Sequence, residues 1–292
     1  MKIDNTGPVV AFIGCGNMGE ALLRGILEGG FTTKDRIKVS TATRENREAL
    51  AERYGIIASA DNAACAQEAD LVILAVKPIF YERVITEFKL GLKENAMVLS
   101  IAPPYTLQRL RSLVERDDVT VARSMPNLGA SIGLGVTAVV DDPLLTDRDR
   151  ELLKSFAESF GEAVFLREDQ MAGISSLIGS SPAYLAMVLE ALAEGAIELG
   201  IPATQAHTLA AKAMQATASL ILQNGDHPAV LRDRVCSAGG TSITGVARLE
   251  HGFKGSLIDA MISSAERFEQ LEDEASAEPQ TMSEVSIENE ES

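Results

Sequence analysis

A short stretch near the start constrains this chain most: Val9-Val10-Ala11-Phe12-Ile13-Gly14-Cys15-Gly16-Asn17-Met18-Gly19-Glu20. An apolar run with the character of a buried strand feeds directly into G-x-G-x-x-G, and an amphipathic stretch over 20–27 follows. Gly14 permits the tight turn, Gly16 lets the backbone come close to a pyrophosphate, and Gly19 lets the next helix pack tightly on the strand. The helix start at Asn17 and Met18 offers unpaired N–H groups and a partial positive charge to phosphates. Glycine turns also arise for purely structural reasons. Here the strand before and the helix after supply the context that a dinucleotide site requires.

A second strand, 36–40, lies about twenty residues further on. At its end an NAD site usually places Asp or Glu to hold the ribose 2′-hydroxyl. This chain has Ser40-Thr41-Ala42-Thr43-Arg44, with no carboxylate before Glu45. Hydroxyls and a guanidinium suit a 2′-phosphate, which favours NADPH, with NADH as the lesser possibility. The structural alternative is that Ser40 or Thr43 only caps a helix starting near Arg44.

Further along, helices over 45–54 and 62–69 alternate with strands over 55–57, 70–76, 97–101, 119–123 and 135–140. A helix over 146–160 and a last strand over 163–166 complete the pattern. Alternation of this kind implies a Rossmann-like, mainly parallel sheet with ligands beyond the carboxyl ends of its strands. The fingerprint loop, residues 40–43, Ala75 to Lys77, residues 101–103 and residues 125–127 should converge there. Past Arg167 strand patterns stop and Ala-rich helices begin, over 181–199 and 203–223, with Ser181 as N-cap and Pro182 at the first helical position. Both helices are apolar or small over much of their circumference, so they need cover from another subunit. The domain reading is therefore 1–167 for the dinucleotide-binding α/β domain, 168–270 for an all-α substrate and dimerisation domain, and 271–292 for an acidic disordered tail.

Composition narrows the function classes. The 292 residues carry a net charge of −16, opposed to nucleic acid and anionic membranes, and with 4% aromatics and no Trp there is little to stack on bases. Residues 271–292 hold eight acidic and no basic side chains, which leaves −8 of the −16 for the rest. Cysteines at 15, 65 and 236 have no metal spacing and fit a reducing compartment. No secretory signal is read in the first ten residues, and no stretch is read as approaching the ~20 apolar residues of a membrane span. The expectation is a cytoplasmic protein with a small-molecule substrate, no metal, and neither a nucleic-acid nor a membrane partner.

Two later segments stand out: Gly179-Ser180-Ser181-Pro182-Ala183-Tyr184, and Val235-Cys236-Ser237-Ala238-Gly239-Gly240-Thr241-Ser242-Ile243. The second sets small residues, hydroxyls and unpaired N–H groups ahead of a helix, a good carboxylate site or else an ordinary capped glycine turn. Taken with FIGCGNMG, AVKP at Ala75 to Pro78 and RSMPN at Arg123 to Asn127, the order of motifs resembles the pyrroline-5-carboxylate reductase family, from about Val9 to Phe268. The resemblance implies NADPH-dependent reduction of the cyclic imine 1-pyrroline-5-carboxylate to L-proline, the last step of proline biosynthesis. It also implies dimers built by helical domains, often assembled further. By the same resemblance Ser237, Gly239, Gly240 and Thr241 hold the substrate carboxylate and the Ser242 hydroxyl contacts the ring nitrogen, as donor or relay of its proton. Ala75, Lys77, Pro78 and Asn127 would lie along the nicotinamide. The chain departs from the family pattern at Ser242 (usually Thr), Ala238 (usually Pro), Pro103-Pro104 (usually Ala-Gly) and Leu128-Gly129 (usually Thr-Pro). These departures keep two alternatives in view: a reductase of another cyclic imine, and a catalytically weak NADP-binding paralogue with a regulatory role. His207, His227 and His251 read as cap, turn or surface residues.

Overall fold

The computed structural model describes residues 7–276. They fall into two compact units: Ser176–Ala265 forms one, and the chain up to Ser175 together with the segment from Glu266 forms the other.

The larger unit holds one sheet of β1 (Val10–Ile13), β2 (Ile37–Ser40), β3 (Ile57–Ser59), β4 (Leu71–Leu74), β5 (Met97–Ser100), β6 (Thr120–Pro126), β7 (Gly135–Val140) and β8 (Gly161–Leu166). Their order is β3-β2-β1-β4-β5-β6-β7-β8. Every pairing is parallel except β6 with β7. The helices of this unit are α1 (Asn17–Glu28), α2 (Arg44–Tyr54), α3 (Asn62–Ala66), α4 (Tyr81–Phe88), α5 (Leu107–Val114), α6 (Asp147–Glu158) and the single turn α7 (Met171–Ile174). β1, β4 and β5 are buried at all four positions, the consequence of a parallel sheet covered on both faces and the reason their sequences are unbroken apolar runs.

α1 turns Leu22, Leu23 and Ile26 into the core. Gly25 sits so close to Phe160 that a Cβ there would stand 2.4 Å from the Phe160 Cβ. Phe160 packs edge-on against Phe156 at 5.0 Å. α6 starts in a capping box, with Thr146 and Asp149 satisfying each other's backbone N–H groups. One strand lies later than its sequence suggests. Gly55 takes the left-handed conformation (φ +66°) as the cap of α2, so the chain enters β3 only at Ile57.

The smaller unit is helical: α8 (Ser181–Glu198), α9 (Ala203–Asn224), α10 (Pro228–Val235), α11 (Thr241–Leu249) and most of α12 (Phe253–Ser276). α8 and α9 pack through Ala193, Ala206 and Ala210, with Leu189 and Ala196 alongside. Ser181 is not the N-cap of α8. The helix continues out of a π-helical stretch, Ser175–Ser180, and the Ser180 hydroxyl instead meets the Ser264 hydroxyl at 2.9 Å. Outward-facing apolar side chains are frequent here, with Met187 69% and Leu192 53% exposed. By length and composition the run Glu168–Glu198 is apolar enough to cross a membrane, contrary to the expectation that no stretch reaches that length. α12 extends through Ser276, so the segment read from sequence as a tail begins within a helix. Residues 277–292 lie outside the described residues.

Candidate active site at the carboxyl edge of the sheet

Strand register sets the site. Ile13 is level with Ser40 and with Leu74, Leu74 with Ser100, and Ser100 with Arg123. The loops after β1, β2, β4 and β5 therefore leave one edge at one height, and β6 runs three residues further before delivering Asn127.

The fingerprint loop is built as its glycines require. Gly14 has φ +83°, and a Cβ there would stand 2.5 Å from Val76 Cγ1 and 2.8 Å from the Val76 nitrogen. Its N–H donates to the Ser40 carbonyl at 2.8 Å, tying the loop to β2. Gly16 is the N-cap of α1 in ordinary extended geometry (φ −86°, ψ −165°), with open space where a Cβ would point. Gly19 lies against Ala75, 3.1 Å from a built Cβ. The first-turn N–H groups of α1, at Asn17 and Met18, have no intrahelical partner. This open cradle over a helix N-terminus fits a pyrophosphate.

At the end of β2 the predicted groups divide. Ser40 is buried and its hydroxyl donates to Asn62 Oδ1, while Asn62 donates to Glu87 at 2.6 Å. Thr41 donates to the Thr43 carbonyl at 3.3 Å, and Thr43 makes no side-chain cap. Arg44 is exposed and reaches Glu48 at 2.7 Å. Three residues were not legible from sequence. Arg47 donates to the Thr41 and Ala42 carbonyls at 2.7 and 2.9 Å, Asn46 to the Cys15 carbonyl at 3.2 Å, and Asn62 braces Ser40. They hold the β2–α2 turn and the fingerprint in fixed relation. Their only sequence signal is position in the first turns of α2 and α3.

Lys77 is exposed at the start of the turn Pro78–Phe80, beside half-buried Ala75. Asn127 Oδ1 accepts from the Val136 N–H at 3.0 Å, so its side chain also shapes the β6–β7 loop. Below the edge, the Tyr81 hydroxyl donates to the Leu74 carbonyl at 3.0 Å and lies 3.2 Å from the Ser100 hydroxyl, and its ring stacks on Tyr105 at 4.9 Å. Burial raises the Tyr81 phenol well above its ordinary pKa, so it stays a neutral donor. Burial also pushes the Cys15 and Cys65 thiols up to about 12, which leaves them unreactive.

In the helical unit, Ser237, Gly239, Gly240, Thr241 and Ser242 form a turn leading into α11. Gly239 has φ +69°, Gly240 donates to the Ser237 carbonyl at 3.0 Å, and α11 starts at Thr241 with Gly240 as N-cap. A Cβ on Gly240 would collide with the Ser237 hydroxyl at 2.3 Å, so glycine is needed for that hydroxyl to sit over the turn. The first-turn N–H groups of α11 and the Thr241 and Ser242 hydroxyls suit a carboxylate. His227 caps α10, accepting from the Ala229 N–H at 3.2 Å. Among the described residues no group of three His, Cys, Asp or Glu side chains is placed to hold a metal ion.

Comparison with known proteins agrees with this geometry. Residues 168–271 match the family model for pyrroline-5-carboxylate reductase dimerisation, which supports homo-oligomerisation, and residues 9–104 match that for NADP oxidoreductase, coenzyme F420-dependent. The chain is 37% identical over 263 residues to the pyrroline-5-carboxylate reductase of Escherichia coli K12, covering 90% of this chain and 97% of that one. The solved structure of a pyrroline-5-carboxylate reductase from Coxiella burnetii superimposes with a TM-score of 0.84 at 29% identity, covering 91% of this chain and 99% of that one. The pyrroline carboxylate reductase of Plasmodium falciparum, solved with NADP bound, shares the fold at a TM-score of 0.82 and 21% identity, over 91% and 98% of the two chains. With a glycine cradle for a dinucleotide on a Rossmann-like sheet and a helical dimerisation domain later in the sequence, the chain belongs to the pyrroline-5-carboxylate reductases, a family of NAD(P)H-using oxidoreductases.

Proposed function

We infer that this chain reduces 1-pyrroline-5-carboxylate to L-proline, the closing step of proline biosynthesis, with NADPH preferred over NADH. One observation carries the reading: a match at 37% identity along nearly the whole of both chains to a reductase of that name. The cofactor preference is supported by the end of β2, where Thr43 and Arg44 are exposed and no carboxylate precedes Glu45 to select a free 2′-hydroxyl.

When bound, the dinucleotide supplies the hydride. The chain's own groups bind, orient and protonate. The α1 N-terminus and Gly16 hold the pyrophosphate, and Ala75, Lys77, Pro78 and Asn127 border the nicotinamide. The turn of Ser237, Gly239, Gly240 and Thr241 takes the substrate carboxylate through N–H groups and hydroxyls. The Ser242 hydroxyl would stand at the ring nitrogen and give up its proton as that nitrogen becomes an amine, with water restoring it. The work asked of the protein is chiefly orientation.

The functional oligomer on this reading is a homodimer, or a larger assembly of dimers, joined through the helical unit. Its support is the exposed apolar residues of α8 and α9, including Met187, Leu192 and Leu222. A second copy covers this surface, with no role for lipid or nucleic acid, and the three unpaired cysteines suit the cytoplasm. The test is direct. Purified protein, NADPH and racemic pyrroline-5-carboxylate should give loss of nicotinamide absorbance with proline formed in equal amount. NADPH binding without proline would overturn the reading in favour of another imine or a regulatory paralogue.

A further inference from the structure

Among the described residues Arg123 is the largest side chain with no exposure, and it stands in β6, at a position where a parallel sheet normally takes Val, Ile or Leu. A guanidinium does not shed its proton, so its burial requires partners. Glu168 alone would neutralise it, with Nη1 and Oε1 2.9 Å apart. A second carboxylate, Glu272 near the end of α12, also pairs with it, and the Phe268 ring lies 5.7 Å from its Cζ. That is one carboxylate more than charge balance needs.

The way the donors are shared explains the excess. Nη2 serves two acceptors, Glu272 and the Pro103 carbonyl at 2.5 Å, so the position of one carboxylate fixes the direction of the N–H that grips the loop. Nη1 goes to Glu168 Oε1, and that same oxygen accepts the Leu107 N–H, the first of α5, at 2.7 Å. The planar guanidinium therefore holds the β5–α5 loop at both ends. The loop has little means of holding itself, because Pro103 and Pro104 both lack an N–H. Arg123 is level with Ser100, the last residue of β5, so the grip acts at the carboxyl edge itself.

We propose that Arg123, held between Glu168 and Glu272, is a positioning residue that sets residues 101–106 against the nicotinamide end of the cofactor. This rests on the reading above, in which Ala75 and Asn127 border the nicotinamide at the carboxyl edge where residues 101–103 converge with them. The pyrophosphate cradle after β1 is untouched by the clamp, so its loss should leave cofactor affinity intact and slow hydride transfer.

The experiment uses the full chain with Glu272→Ala, Glu272→Gln and Arg123→Lys. It reads amide hydrogen exchange, NADPH affinity by fluorescence, kcat, and the isotope effect with NADPH deuterated at the transferred position. In Glu272→Ala, exchange in peptides covering 101–107 should rise about tenfold while β1 and β4 stay protected, with NADPH Kd within about twofold of wild type. In the same variant kcat should fall about tenfold, in line with the sensitivity of transfer to misplacement, and the isotope effect should rise. Glu272→Gln, which keeps an acceptor oxygen, should restore about half of kcat or more. Unchanged exchange over 101–107 in Glu272→Ala overturns the clamp whatever the activity. Faster exchange with unaltered kcat and isotope effect overturns the positioning role, and so does a fall in kcat that tracks a loss of NADPH affinity. Glu272 is partly exposed, so its variants remain informative if Arg123→Lys does not fold. Absence of wild-type turnover with pyrroline-5-carboxylate would count against the functional reading alone, because the exchange comparison still decides whether the clamp holds the loop.

Discussion

Gly14→Ala and Gly16→Ala are the same chemical change two residues apart, and the structure expects opposite outcomes from them. At Gly16 the backbone is already in a region alanine adopts freely, and a Cβ would touch no protein atom within 4 Å. Alanine is a poorer N-cap than glycine by up to about 1 kcal/mol, offset by about 0.4–1 kcal/mol from a less flexible unfolded chain. The melting temperature should therefore move by no more than about 2–4 °C. The methyl would, however, occupy the space the pyrophosphate needs. Loss of one charge-assisted N–H bond, about 1.5–3 kcal/mol, weakens NADPH binding roughly 10–100-fold. At Gly14 the costs fall on the fold. Alanine at φ +83° costs about 1–2 kcal/mol, and relieving contacts of 2.5 and 2.8 Å with Val76 adds about 1–3 kcal/mol. Gly14→Ala should melt roughly 10 °C below wild type. Thermal melts paired with fluorescence titration of NADPH test both. Wild-type affinity in Gly16→Ala would refute the placement of the pyrophosphate over Gly16, and a wild-type melting temperature in Gly14→Ala would refute the argument from strain.

Three other outcomes follow from the geometry. The Cys15 and Cys65 thiols are raised from 9.0 to about 12 by burial, so the folded state keeps protons that the unfolded chain releases. Their contribution is whole below pH 9 and is lost as pH climbs toward 12, at up to about 1.4 kcal/mol per pH unit for each thiol; alkaline melts should show this slope, and it should flatten in Cys15→Ala. Ser242→Ala should lower kcat about 100-fold with NADPH affinity unchanged, and Ser242→Thr should retain most activity; steady-state kinetics decide, and a fully active alanine variant would remove Ser242 from the proton path. Leu192→Asp buries a charge if α8 is an oligomer contact, so light scattering should report dissociation to a smaller species, and an unchanged mass would place the interface elsewhere.

Much of this was legible in sequence because it is local. The β1–α1 unit, the apolar run of β4 and the span of β7 each follow from a few neighbouring residues. Convergence of the loops followed from topology, since parallel strands must present their carboxyl ends on one side. What stayed hidden depends on partners far along the chain. Ser40 reads as a free hydroxyl until Asn62 is seen to receive it. Ser181-Pro182 has the signature of a helix start, yet the helix runs through it because the preceding turn is π-helical and Ser180 bonds Ser264 instead of capping. Arg123 and Glu272 are 149 residues apart, and nothing near either one announces the other.

That separation bears on how the chain is made. The sheet unit is discontinuous: it stops at Ser175 and resumes at Glu266, with the helical unit encoded between. On a ribosome, Arg123 emerges long before Glu272, and at about 5–20 residues per second the interval is roughly 7–30 s. Glu168 follows Arg123 by 45 residues, so for the remainder of that time the nascent sheet has only one of the two carboxylates for its cation, and the closing contact waits until the helical unit has been translated. An amino-terminal fragment ending at Ser175 is for this reason an incomplete domain, although it contains β1 to β8.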